Sequence, residues 1–172
     1  MWYSSKSNIQ ISKSFKTASS SIYQLIKDNW FREGDKLINN HWTHNKIEDE
    51  WGVKGNRITL IRNPWDYVVS AYHWALRNGE APKEYSFEDF LYKPSQFNWK
   101  KQLEYWDCES DDVIQFETID ADIERIRTKY NLAKITIPLT HQKKTLHRGN
   151  YQAYYNKESR DYIRLVFGGQ LY

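Results

Sequence analysis

Seven glycines, four prolines and a single cysteine in 172 residues mark this chain first by what it does without. None of the glycines falls in a G-x-x-x-x-G-K-[ST] pattern, so an ordinary nucleotide-triphosphate loop is excluded. The lone Cys108 rules out an internal disulfide framework and any thiolate or zinc cluster. It reads as a small packing residue in a protein of a reducing, cytosol-like compartment. Nowhere do about 18 apolar residues run together, the length needed to span a bilayer, and the opening Met1–Lys6 leads almost directly into a strand. The expectation is a soluble, cytoplasmic protein with neither a secretory signal nor a membrane anchor. A strong charge bias is missing too: 25 basic against 22 acidic residues leave +3, which suits a small anion but is too weak to argue for nucleic acid.

What the chain does have is aromatic residues, with eight Trp and thirteen Tyr, most of them suited to packing a core and its rim. Its length fits one domain, 1–172, with one core and one site, and no repeat, low-complexity tract or linker divides it. Strand patterns fall at Asn8–Ser12, Lys36–Asn39, Arg57–Ile61 and Asp112–Phe116, with Thr136–Leu139 extended and kept near an edge by Pro138. Helical periodicity covers Ser20–Trp30, a stretch ending at Glu50, the segment from Pro64 to Asn78, Phe87–Tyr92, about Asn98–Trp106, Ile119–Tyr130 and a last helix capped by Asn156. In the third of these, Trp65, Val68, Val69, Tyr72 and Leu76 form the expected buried stripe, with Asp66, Ser70, His73 and Arg77 on another face. Strands alternating with helices predict an α/β fold with a central, mainly parallel sheet covered on both faces and ligands at the carboxyl ends of the strands.

Two strand-to-helix junctions look built to hold anions. Ser14 to Ser21 follows the first strand, and Arg62-Asn63-Pro64-Trp65-Asp66 follows Arg57–Ile61. A helix start presents unpaired N–H groups and a partial positive charge, and the first junction adds Lys16 and five hydroxyls to it. In the second, capping chemistry accounts for Asn63, Pro64 and Asp66 without any ligand. Arg62, and Ser70 two turns on, carry its functional content.

The order Lys16-Thr17-Ala18-Ser19-Ser20-Ser21 resembles the phosphosulfate-binding loop of sulfotransferases, P-K-[TS]-G-[GS]-T-S, and Arg62 to Tyr72 resembles the second motif of that superfamily, R-[ND]-P-x-[DE]-R-x-x-S-x-Y. Asp112 to Glu117 is similar to its strand ending in F-E, and Tyr151–Tyr155 to its Y-x-x-Y-Y segment, so the resemblance covers most of the chain. It implies a P-loop-like three-layer fold, and the donor 3′-phosphoadenosine 5′-phosphosulfate (PAPS, with PAP as product). Lys16, Thr17, Ala18, Ser19, Ser20 and Ser21 would surround the phosphosulfate, with Arg62 and Ser70 on the 3′-phosphate. Lys16 would neutralise charge developing on the bridging oxygen, and no metal is expected because a sulfuryl group carries less charge than a terminal phosphoryl group. The acceptor implied is a hydroxyl, with a glycan favoured by the likeness to carbohydrate-type members, which carry Ala-Ser in the loop. Two departures stand out: Phe15 replaces the usual proline, with Ala18 and Ser19 where glycines are common, so any positive φ there is strained; and Tyr67 replaces a frequent arginine.

Transfer needs a base. His41, just after the second strand, is the first candidate, His44 the second, and Glu48 a third. His141, Lys143, Lys144, His147 and Arg148 read as a basic lid, with Arg148 assigned to the donor. Two other classes stay open: a phosphoryl-transfer enzyme with a degenerate phosphate loop, and a noncatalytic polyanion binder using the basic lid and aromatic side chains.

Overall fold

The structure, a computed structural model, describes residues 1–100, 109–136 and 150–168. These fall into two compact units, 1–62 with 109–136, and 63–100 with 150–168. The expected helix around Asn98–Trp106, the extended Thr136–Leu139 and the basic lid fall mostly or wholly outside the described residues. Among the described residues no helix is long and apolar enough to cross a membrane.

The first unit is α/β. Its sheet has the order β3-β1-β2-β4-β5, with β1 at Trp2–Ser4, β2 at Ile9–Lys13, β3 at Lys36–Leu37, β4 at Asn56–Ile61 and β5 at Asp112–Gln115. β2, β4 and β5 run parallel, whereas β1 is antiparallel to both β2 and β3. The sheet is therefore mixed, not mainly parallel as the alternation of strands and helices predicts. The reason is β1, hidden in the first residues: only Ser5–Asn8 joins it to β2, and so short a connection can join only antiparallel neighbours. Asn8 takes φ 49° in that turn, which is why the strand starts at Ile9. Gly55 packs against the same turn, where a Cβ would sit 3.1 Å from the Asn8 carbonyl carbon and oxygen.

Strand alternation gives the sheet two unlike faces. Trp2, Ile9, Ile11, Ile58, Leu60 and Ile114 form the apolar one, packed in a single cluster with Ile22, Leu25 and Ile26, and with Ile119, Ile123 and Ile126. The first three come from α1 (Ser19–Leu25) and the π turn that extends it over Ile26–Trp30, the last three from α5 (Ile119–Lys129). In that turn Asn29 accepts from the amide and hydroxyl of Thr136, and the Trp30 indole donates to the Ala133 carbonyl, tying α1 to the chain beyond α5. The other face carries Gln10, Ser12, Arg57 and Thr59, and meets α2 (His44–Trp51) through polar contacts. Glu48 of α2 accepts from Gln10 Nε2 at 2.7 Å and from Arg57 Nε and Nη2 at 2.9 Å each.

In the second unit, α3 (Pro64–Asn78) starts as its sequence predicts: Asn63 Oδ1 accepts from the amides of Trp65 and Asp66, Pro64 takes the first position, and Gly79 ends the helix at φ 73°. Its buried stripe is rotated from expectation. Tyr67, Val68, Val69, Ser70, Ala71 and Ala75 are buried, with Trp65, Tyr72 and Leu76 on the margins. Tyr67 can lie inside because its hydroxyl donates to the Trp99 carbonyl at 3.1 Å. Capping boxes at Ser86/Asp89 and Asn156/Ser159 start α4 (Phe87–Tyr92) and α5's successor α6 (Lys157–Phe167), the latter preceded by a 3-10 turn over Tyr151–Tyr154.

Truncating the centre of the apolar face should be costly. Ile58→Ala is expected to lower unfolding free energy in urea by about 2–5 kcal/mol, whereas Leu165→Ala, 79% exposed, should change it by less than about 0.5 kcal/mol.

Candidate functional site

The chain between β2 and α1 folds into a tight, internally braced loop. Ser14 is buried and its hydroxyl donates to the Leu60 carbonyl of the neighbouring strand at 2.8 Å, while the Thr17 hydroxyl donates to the Ser14 carbonyl at 2.8 Å. Lys16 and Ala18 both adopt left-handed backbone, at φ 61° and 59°. For residues with a Cβ this costs roughly 1–2 kcal/mol each, and such strain gathers at functional sites. Alternating left-handed residues turn successive N–H groups toward one side, the arrangement that makes anion-binding concavities. The loop therefore takes the positive φ values that the missing glycines would have made easy.

Arg62, at the end of β4, is the brace. It is 8% exposed, its Nη1 donates to the Lys16 carbonyl at 2.9 Å, and its guanidinium carbon lies 4.1 Å from the ring centroid of Phe116. Cation and aromatic face together fix the fork in place. Arg62 thus shapes the loop, a role the sequence motif does not announce.

α1 begins differently from the other described α-helices. Thr43, Asn63, Ser86 and Asn156 cap α2, α3, α4 and α6 with side-chain acceptors, and α5, which lacks one, has Asp120 and Asp122 in its first turn. α1 has neither a side-chain cap nor an acidic residue in its first turn, and Ala18 stands at its N-cap. Its dipole end is matched by no carboxylate of its own. Ser19 and Ser21 are buried, Ser20 and Lys16 partly exposed.

His41 lies against this loop. Its ring meets Phe15 edge-on at 5.6 Å, and its Nδ1 is 3.2 Å from the Lys13 carbonyl. A carbonyl only accepts, so Nδ1 carries a hydrogen and the neutral ring has its lone pair on Nε2, the tautomer of a general base. Burial holds the ring's pKa below the ordinary histidine value; the bond to the Lys13 carbonyl opposes this, and the Lys13 ammonium adds to the lowering. Lys13 is the residue sequence reasoning missed: 3% exposed, it donates to Asn39 Oδ1 at 2.6 Å, faces the Tyr23 ring at 5.3 Å, and has its pKa lowered to about 8 by burial. Its signal was a lysine closing a buried strand just before the loop.

The other base candidates are placed elsewhere. His44 is fully buried on the polar face of the sheet, its Nε2 2.8 Å from the Thr59 hydroxyl and its Nδ1 without a hydrogen-bond partner among the described residues, so its ring is enclosed rather than presented at the surface. Helix α2 starts at His44 with Thr43 as cap, and the first helical turn turns that ring inward. Burial, followed by the Arg57 charge, lowers its pKa to about 4. Glu48 is held by Arg57 and Gln10 and its carboxyl is kept below the usual range, chiefly by the Arg57 hydrogen bond, so it is a weak proton acceptor.

The structure thus brings Lys16, Thr17, Ala18, Ser19, Ser20, Ser21, Arg62 and His41 together in the first unit. Ser70 belongs to α3 of the second unit, 4% exposed, its hydroxyl without a hydrogen-bond partner among the described residues. Arg148 lies outside the described residues. Among the described residues no group of three or more His, Cys, Asp or Glu could hold a metal ion. No protein-family model matches the chain, and no curated protein matches it.

Two measurements test this site. Ala18→Gly removes the left-handed penalty, roughly 1–2 kcal/mol, against an unfolded-state entropy loss of about 0.4–1 kcal/mol; stability in urea should hold or rise, while Ala71→Gly in α3 should lower it. His44 is neutral in the fold but protonates near its ordinary value when unfolded, so its contribution is present above pH 6.5 and is lost as pH falls toward 4. The urea midpoint should therefore drop between pH 6.5 and 5, before the carboxylates protonate, and His44→Gln should flatten that drop.

Proposed function

We propose that this chain is a sulfotransferase that uses PAPS to sulfate an acceptor hydroxyl. The observation that carries the reading is the strand–loop–helix of Ser14 to Ser21. Two left-handed residues and a brace from Arg62 set its shape, and the one described α-helix with neither a side-chain cap nor a first-turn acid starts there. The motif order adds to this: a lysine-hydroxyl loop after one strand, and arginine followed eight residues later by serine after the strand paired with it in parallel. The reading includes a P-loop-like three-layer arrangement around the sheet.

The residues fit such a donor in kind. Amides of the loop and first turn, with Lys16 and the hydroxyls of Ser19 to Ser21, suit phosphosulfate oxygens. The assignment of Arg62, Ser70 and Arg148 to the 3′-phosphate rests on the sequence motifs. The Thr17 hydroxyl donates inward to Ser14 and contributes to loop shape. The donor supplies a sulfuryl group on a phosphate leaving group. His41 takes the acceptor's proton at Nε2, its Nδ1–H held by the Lys13 carbonyl. Lys16 sets positive charge against the departing oxygen. A glycan acceptor is favoured by the Ala18-Ser19 pair of carbohydrate-type members.

PAP should raise the melting temperature, with stabilisation of about 2.7 kcal/mol at a hundredfold excess over Kd, and AMP and ATP should do so far less. Equal shifts from AMP sink the assignment of Arg62 and Ser70, and a larger shift from magnesium-ATP moves the chain to phosphoryl transfer. In assays of labelled sulfate transfer from PAPS to a panel of sugars, phenols and peptides, Lys16→Ala should lower turnover by roughly 100-fold or more. His41→Ala should lower it by roughly 100- to 10,000-fold while PAP binding persists.

A further inference from the structure

A buried lysine is rare without a carboxylate to balance it, because taking an ammonium out of water is expensive. Lys13 is such a case. Among the described residues its ammonium meets an amide oxygen, Asn39 Oδ1 at 2.6 Å, and the face of Tyr23, and pairs with no carboxylate. Core packing alone does not account for it, since Ile9 and Ile11, which precede it on the same side of β2, are apolar. What is distinctive is its double hold on one short segment. Its side chain grips Asn39 and its carbonyl receives Nδ1 of His41, two residues further along. The Asn40 side chain also accepts from the His41 amide at 2.9 Å, Phe15 meets the His41 ring, and Met1 holds Ile38 and Trp42 on either side.

We propose that Lys13 is a positioning residue for His41: its carbonyl fixes the ring's tautomer, and its ammonium, moored on Asn39, adds to burial in keeping the imidazole uncharged beside the Lys16 loop. The inference rests on the reading of His41 as the base. The charge that bears on the ring is this ammonium from β2; the Met1 amine before β1, its pKa lowered to about 4 by burial and then by Lys13, is uncharged where the ring titrates, and Lys16 has its Nζ 5.9 Å from the centroid of the Phe15 ring that His41 meets edge-on. A positive charge fixed next to an imidazole disfavours its protonated form, so the ring stays a proton acceptor to lower pH than it otherwise would. A carboxylate in place of Asn39 would neutralise the ammonium and remove that effect. The amide oxygen that Asn39 offers anchors the lysine and leaves its charge in force.

The test is a titration of the His41 ring by NMR in histidine-labelled protein, assigned with His41→Gln, alongside the pH profile of kcat/KM. Asn39→Asp, an isosteric change at an exposed position, should raise the His41 midpoint by about one pH unit, the size of effect a close charge exerts. Lys13→Met should do the same and Lys13→Arg should leave the midpoint in place. The acid limb of kcat/KM should move with the NMR midpoint in each variant. An unchanged midpoint in folded Asn39→Asp overturns the proposal, and should Lys13→Met fail to fold, that variant decides alone. A shifted midpoint with an unmoved kinetic limb upholds the hold of Lys13 on His41 and overturns His41 as the base.

Discussion

The parallel register of β2 on β4 is the constraint on which the site depends. Lys13 stands opposite Leu60, so the two strands end side by side and the loops that leave them begin as neighbours. From that register follow the Ser14 hydroxyl on the Leu60 carbonyl and the Arg62 fork on the Lys16 carbonyl. A slip of one residue would exchange the faces of the strand, burying Gln10 and Ser12 among isoleucines and turning Ile9 and Ile11 toward α2. The apolar cluster therefore does more than stabilise: it fixes which residues meet at the strand ends.

Much of this was legible in the chain. Asn63, Pro64 and Asp66 state a helix start by their own chemistry, as Asn156 does, and the structure follows both. The strand around Ile58 and the loop after β2 could also be read locally. What escaped was non-local. β1 is three residues long, too short for any periodicity to register, yet it makes the sheet mixed. The rotated stripe of α3 turned on Tyr67, whose burial depends on a carbonyl 32 residues away. His41 and His44 stand three apart and look alike in sequence; only the start of α2 at His44 sends one into the sheet and leaves the other beside the loop.

The two faces of the sheet divide the labour between packing and polarity. The isoleucine face needs only volume and fit. The face toward α2 is held by paired polar groups, with Glu48 answering both Gln10 and Arg57 and Thr59 between Ser12, Ser110 and His44. Networks of this kind specify a single arrangement more sharply than apolar contact does, because one missing member leaves buried polar groups unmatched.

A phosphate loop built largely of glycine is pliable and must be ordered when its ligand arrives. Here Lys16 and Ala18 hold the same left-handed angles with side chains attached, against their own preference and by the grip of Ser14, Thr17 and Arg62. The conformational cost thus falls at folding and not at capture. On the proposed function the loop would act as a mould cast in advance, and an incoming anion would find its cradle already set.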